Sequence, residues 1–264
     1  MLGTTKIYGC LADPINHVKA PTIFTSIFKN KNIDAVMIPI HLNDDNLENV
    51  VSSLKSIKNF KGMTVTIPHK TNITKLCDYL EPDAKFTGAV NWIKFDNNRN
   101  LIGNNFDGQG FVNGFIKQNY SLKNKNVCLF GAGGAALSIG ASLVNEHIKS
   151  LKLINRDINK AIHLKNKIHA KSDHLKVEVF PESDYSLAYS DIIINATSLG
   201  LKKTDKLPFD VTNSPLNSVI ADIIMQPEET ELLKNAKSLG RTIHYGKYMI
   251  ESQIDLVNDF LKIW

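Results

Sequence analysis

The feature that most constrains this chain is a glycine-rich corner at its middle. The apolar run Val127, Cys128, Leu129 and Phe130 breaks there into Gly131, Ala132, Gly133, Gly134 and Ala135. Small residues follow (Leu137, Ser138, Ile139, Gly140, Ala141) and read as a helix. A strand that stops in glycines and opens a helix lets backbone N–H groups approach a pyrophosphate, and the helix N-terminus adds a favourable dipole. Its position matters as much as its composition. About half of the 264 residues precede the corner and must serve a task other than holding a dinucleotide.

Strand and helix signals alternate on both sides of the corner. Before it, strands are expected at Lys6–Cys10, Ala35–Ile40 and Gly62–Ile67, and helices at Thr22–Lys29, Leu47–Ile57 and Asn72–Leu80. Val90–Phe95 and Leu101–Ile102 flank a polar stretch from Asp96 to Asn100, which predicts a hairpin. A helix from Gly108 to Gln118 leads into the corner. Beyond it, strands are expected at Leu151–Ile154, Val177–Phe180, Ile192–Asn195 and Val219–Ile223, and a last helix at Met249–Ile263. This alternation predicts an α/β chain of two domains with a cleft between them, the second a doubly wound parallel sheet of the Rossmann type.

Composition narrows the partners. A hydrophobic content of 43% with 22% charged residues reads as soluble and globular. No apolar run reaches the roughly 18 residues needed to span a bilayer, and the first residues lack the pattern of a signal peptide, so no membrane is expected. The net charge of +5 comes from scattered lysines; its densest spot, Ser121–Asn126, reads as a solvated connection and not as a nucleic-acid surface. Cys10, Cys77 and Cys128 share no metal-ligand spacing and fit free thiols in a reducing cytoplasm; no metal site is expected. No heptad or uninterrupted apolar patch chooses between a monomer and a homodimer.

The residues after the second strand of the dinucleotide unit report on the cofactor. An acidic residue there suits the ribose of NAD, whereas a cation suits the 2′-phosphate of NADP. Here Asn155 and Arg156 favour NADP, and Asp157, one residue later, leaves NAD open. Two more strand ends, Asn195–Gly200 with Thr197 and Asp222–Pro227 with Met225, break into polar loops at the carboxyl edge where a cofactor crosses.

In the first half, Thr64, Val65, Thr66, Ile67, Pro68, His69 and Lys70 end an apolar strand in hydroxyl, imidazole and ammonium groups. Gly88–Asn91 and Asn104–Gly108 add an amide and the carboxylate of Asp107. A lysine beside an aspartate can polarise an oxygen and move a proton. These segments, together with Gly9, Asp13–His17, the glycine corner, Asn155 with Arg156, Asn195–Gly200 and Gln253, resemble the shikimate dehydrogenase family over nearly the whole chain and in the right order.

The resemblance implies reversible hydride transfer between NADP(H), or NAD(H), and a hydroxyl/ketone pair on a small cyclic acid, within aromatic amino acid biosynthesis. It implies a substrate-binding domain over 1–106, an NAD(P)-binding Rossmann domain over 107–245, and a C-terminal helix over 246–264 returning to the substrate domain. Lys70 and Asp107 fall on the catalytic pair. Thr66, Asn91 and Gln253 fall on substrate-holding positions. Gly131, Ala132, Gly133, Gly134, Ala135, Asn155, Arg156, Thr197, Met225 and Gly246 fall on the cofactor site.

The chain departs from the family at the substrate carboxylate. Two serines usually stand where this sequence has Val18 and Ala20, neither of which can donate a hydrogen bond. Phe106 replaces a small hydroxyl residue, Met225 a tyrosine, and Tyr248 a frequent glycine. Three readings follow: a shikimate dehydrogenase whose carboxylate partner is another group, such as Lys19 or Lys247; a relative that turns over a different ring compound; or a non-catalytic, cofactor-binding regulator.

Overall fold

The computed structural model describes residues 1–16 and 18–264; His17, the last residue of the first family motif, lies outside the described residues. The chain divides into two compact units, one of Met1–Phe106 with Asp255–Trp264, the other of Asp107–Ile254.

The first unit carries a mixed sheet of β1 (Lys6–Ala12), β2 (Ala35–His41), β3 (Phe60–Val65), β4 (Tyr79–Leu80), β5 (Trp92–Phe95) and β6 (Leu101–Asn104), in the order β2-β1-β3-β5-β6-β4. β1 runs parallel to β2 and β3, so each step needs a crossover. Helices α1 (Ala20–Asn30) and α2 (Leu47–Leu54) supply them, and α3 (Pro82–Thr87) precedes the hairpin. α1 buries Ala20, Phe24 and Phe28, four residues apart on one face, with Phe24 against the Trp92 ring at 5.1 Å. α2 buries Leu47, Val51 and Leu54 in the cluster around Leu11, Met63, Val65 and Ile93.

The hairpin forms as expected, β5 antiparallel to β6, with the Asp96 carboxylate accepting the N–H groups of Asn98 and Asn100. Two helices differ. The segment expected to be helical over Leu47–Ile57 stops at Leu54, because the Arg99 guanidinium takes the carbonyls of Leu54, Lys55, Ile57 and Phe60, each at 2.9 Å. In place of a helix over Asn72–Leu80 there is a short 3-10 turn, Asn72–Leu76, and then β4. Asp78 accepts the Leu101 N–H at 2.7 Å and pairs with Lys55, drawing the chain back so that Tyr79 aligns with Ile102.

The second unit begins with α4 (Asp107–Lys117) and carries β7 (Asn126–Phe130), β8 (Ser150–Asn155), β9 (Lys176–Pro181), β10 (Ile192–Asn195), β11 (Val219–Asp222) and β12 (Thr242–His244). Every pairing is parallel, in the order β12-β11-β10-β7-β8-β9. The crossover helices are α5 (Gly134–Asn145), α6 (Ile158–Lys171) and α7 (Glu231–Ser238). This is the doubly wound Rossmann arrangement. The strand order reverses between β7 and β10, which makes the Gly131 corner the switch point.

The expected last helix is two pieces, α8 (Lys247–Glu251) and α9 (Ile254–Leu261), interrupted at Ser252 and Gln253. α8 packs on α4 in the second unit, whereas residues 255–264 group with the first. Among the described residues no helix is long and apolar enough to cross a membrane.

Candidate active site

Gly131 adopts φ +113°, and a Cβ there would press on the Ala196 carbonyl oxygen at 2.8 Å, so the corner admits only glycine. Gly133 and Gly134 differ. Neither has a positive φ, and a Cβ on either would meet nothing within 4 Å. Packing does not require glycine at these positions. Their bareness leaves an open cradle at the start of α5, whose N-cap residue Gly133 offers no side-chain cap to the first-turn N–H groups. That geometry fits a pyrophosphate.

The end of β8 bears on the choice of cofactor and favours NADP. Asp157 caps α6, its carboxylate accepting the N–H groups of Asn159 and Lys160 at 3.0 and 3.3 Å. Asn155 donates its side-chain amide to the Asp157 carbonyl at 2.7 Å, which fixes the turn. The carboxylate that left NAD open is therefore engaged by the helix, while Arg156 is exposed beside it. Lys160, in the first turn of α6, adds a second cation that the sequence reading missed; only its position four residues after Arg156 signalled it.

Thr197 and Met225 sit on loops that one buried network holds. Asn195 accepts the N–H and hydroxyl of Thr197 and donates to the Leu199 carbonyl and to Asp222. Asp222 also accepts the Ile224 N–H and the Thr230 hydroxyl, the latter at 2.7 Å. Burial pushes its carboxyl up to about 6, against these hydrogen bonds, which favour the charged form. Gly246 is needed for contact: a Cβ would strike the Ile224 carbonyl oxygen, next to Met225.

Asp107 is buried at the first residue of α4, where the helix dipole favours a negative charge. Gln253 reaches it from beyond α8, Nε2 lying 3.5 Å from Asp107 Oδ1. Gly110 permits this approach, since a Cβ there would strike the Gln253 side chain. Tyr248 is packed against Tyr245 and His244. Lys247 is bound to Glu228 at 2.6 Å, so its charge is already answered within its own unit.

In the first unit, Lys70 follows the end of β3, its carbonyl accepting the Val90 N–H at 2.8 Å. Thr66 is half-buried at the strand end, and its N–H bonds the Leu11 carbonyl. Asn91 accepts the Phe106 N–H on Oδ1 at 2.9 Å. Asn105 donates to the Ala89 carbonyl and the Thr87 hydroxyl, so the segments 88–91 and 105–106 are tied together. Phe106 turns its ring onto Phe260 of α9, centroids 5.5 Å apart. Val18 is half-buried, Ala20 buried, and Lys19 exposed between them at the N-cap of α1.

The switch-point corner, open glycine cradle and phosphate-suited turn define a dinucleotide-binding protein of the two-domain α/β class, with a turn that favours NADP. Comparison with known proteins carries this further. The family described as "Shikimate dehydrogenase substrate binding domain" matches residues 10–93, and "Shikimate / quinate 5-dehydrogenase" matches residues 115–210. A shikimate dehydrogenase (NADP(+)) of Methanobrevibacter smithii is 35% identical over 94% of this chain and 88% of its own. A crystal structure of a shikimate dehydrogenase with NADP+ superposes with a TM-score of 0.91 at 30% identity, covering 99% of this chain and 91% of that one. The Listeria monocytogenes enzyme, crystallised with shikimate and NAD, gives a TM-score of 0.88 at 29% identity, covering 100% and 93%. The chain belongs to the shikimate dehydrogenase family. These relatives favour neither a different ring substrate nor a non-catalytic regulator.

Proposed function

We propose that this protein interconverts 3-dehydroshikimate and shikimate with NADP(H), in the reducing cytoplasm that its buried free thiols suit. The observation that carries the cofactor half is the pairing of a bare glycine cradle with an exposed Arg156 whose neighbour Asp157 is spent as a helix cap. Gly131, Ala132, Gly133, Gly134 and Ala135 would hold the pyrophosphate, Asn155, Arg156 and Lys160 the 2′-phosphate, and Thr197, Met225 and Gly246 the nicotinamide end. The nicotinamide supplies or accepts the hydride.

The chain's own residues handle the proton and the ring. Lys70 stabilises negative charge developing on the ring oxygen and exchanges its proton there. Asp107 is assigned as the acidic partner in that proton transfer, and Gln253, which donates to Asp107, is assigned with Thr66 and Asn91 to the ring hydroxyls. Steady-state assays with shikimate and either NADP+ or NAD+ test the reading. NADPH formation that depends on shikimate is expected; its absence at saturating NADP+ refutes the proposal.

A further inference from the structure

His69 is 0% exposed and stands one residue before Lys70. Its Nδ1 lies 2.6 Å from Asp44 Oδ1, and its Nε2 lies 2.6 Å from the Leu42 carbonyl oxygen. A carbonyl only accepts, so Nε2 carries a proton. The other nitrogen faces the Asp44 carboxylate, which is 44% exposed, so both ring nitrogens of the buried imidazole are engaged by oxygen atoms of the segment after β2. Asp44 is shared: its second oxygen accepts the Asn72 amide at 3.1 Å, from the far side of Lys70.

The segment from Thr66 to Thr71 belongs to no helix or strand. Its backbone is held by the His69 N–H on the Thr66 carbonyl, the Ile73 N–H on the His69 carbonyl, and the Val90 N–H on the Lys70 carbonyl. His69 and Asn72 add side-chain ties from this turn to the segment after β2, one on each flank of Lys70. An apolar residue at 69 would fill the space but strip the Leu42 carbonyl and Asp44 of their donor.

We infer that His69 and Asp44 are positioning residues for Lys70: the His69–Asp44 contact before the lysine and the Asn72–Asp44 hydrogen bond after it pin the turn on both sides, so that the lysine side chain starts from a fixed backbone. This rests on Lys70 being the proton-transfer lysine. A purely structural pair predicts lost stability with an unchanged rate per folded site. A positioning pair predicts a lost rate at saturating substrates.

The experiment measures kcat and KM with shikimate and NADP+ for the native protein, Lys70→Ala, Asp44→Ala, His69→Gln and His69→Asn, with sites counted by NADP+ calorimetry. Asp44→Ala changes a half-exposed side chain, which keeps the test open even if a His69 variant fails to fold. Asp44→Ala and His69→Gln are expected to lower kcat per site by about 10–100-fold, the scale of a misplacement near 1 Å, with the NADP+ affinity unchanged. His69→Asn, which keeps a donor for Asp44, should recover part of the loss. Native kcat per site in both Asp44→Ala and His69→Gln, with Lys70→Ala inactive, overturns the inference alone. Native turnover by Lys70→Ala overturns the role of Lys70 and the inference with it, and a native protein inactive on shikimate is recognised before any variant is compared.

Discussion

His244 makes this protein sensitive to acid in a way that can be worked out in advance. The ring is 1% exposed, and both of its nitrogens lack a hydrogen-bond partner. It stacks on Phe115 at 3.9 Å, with Phe111 edge-on at 5.7 Å and Tyr248 at 5.1 Å. Burial holds the imidazole down at about 3, from an ordinary 6.5. Between those values the unfolded chain binds a proton that the folded one refuses. Stability therefore falls as pH drops through this window, by about 2 kcal/mol at pH 5 and by about 5 kcal/mol once pH 3 is passed.

Asp222 works in the opposite direction. Its carboxyl sits at about 6 in the folded protein against 3.8 ordinarily. The folded state binds the extra proton between those values, so stability rises by about 2 kcal/mol as pH falls from 6 to 4. The native pH profile mixes the two, and a variant must separate them. His244→Phe keeps an aromatic ring on Phe115 and cannot protonate. Any overpacking it causes offsets stability at every pH without adding a slope. Urea unfolding of both proteins at pH 7.5 and 5 gives the double difference, in which Asp222 cancels. The native protein should lose about 2 kcal/mol more than the variant between the two pH values. Equal losses would refute the claim that this ring is buried neutral.

Three further outcomes are expected. Arg156→Ala should weaken NADP+ by about tenfold or more in calorimetry, the worth of a charge-assisted phosphate contact, and leave NAD+ binding unchanged. The double variant Val18→Ser with Ala20→Ser should lower the KM for shikimate, by two to four powers of ten if each hydroxyl reaches the carboxylate with about 1.5–3 kcal/mol; an unchanged KM puts that carboxylate elsewhere. Arg99→Ala strips four carbonyls of their shared donor and should cost about 2–4 kcal/mol in urea unfolding, at the lower end because the guanidinium is only partly buried, with kcat per folded site unaltered.

What the sequence made legible was whatever a strand end writes in consecutive residues. The corner at Gly131, the turn at Asn155 and the hairpin at Asp96 each contain their own physics within a few positions, and each formed as expected. What it hid were pairings between residues far apart in the chain. Nothing near Ile57 announces that Arg99 will end α2, and nothing near Asn72 announces that Asp78 will turn the chain into a strand. The Asp157 carboxylate was legible as a residue that left NAD open beside the favoured NADP. An aspartate just before a helical pattern is a cap before it is a ribose ligand, and the Asn159 and Lys160 N–H groups claim it. The clamp of His69 by Asp44 was visible only as a histidine beside a lysine.

The departures from the family look different once their neighbours are known. Phe106 and Tyr248 suggested an apolar intrusion at the substrate end, yet Phe106 spends its ring on Phe260, and Tyr248 spends its own beside His244 and Tyr245. Each bulky substitution has a packing partner inside its own unit. Lys247, offered as a substitute cation, is held by Glu228. The anomaly shrinks to Val18 and Ala20, which nothing in the structure explains. A carboxylate contact is remote from the carbon that exchanges hydride, so its weakening removes binding shared by ground and transition states. Such a loss raises KM and leaves kcat nearly intact. Under the proposed function, the two small apolar residues bear on how much shikimate is needed, and the chemistry is assigned to Lys70, Asp107 and the cofactor edge.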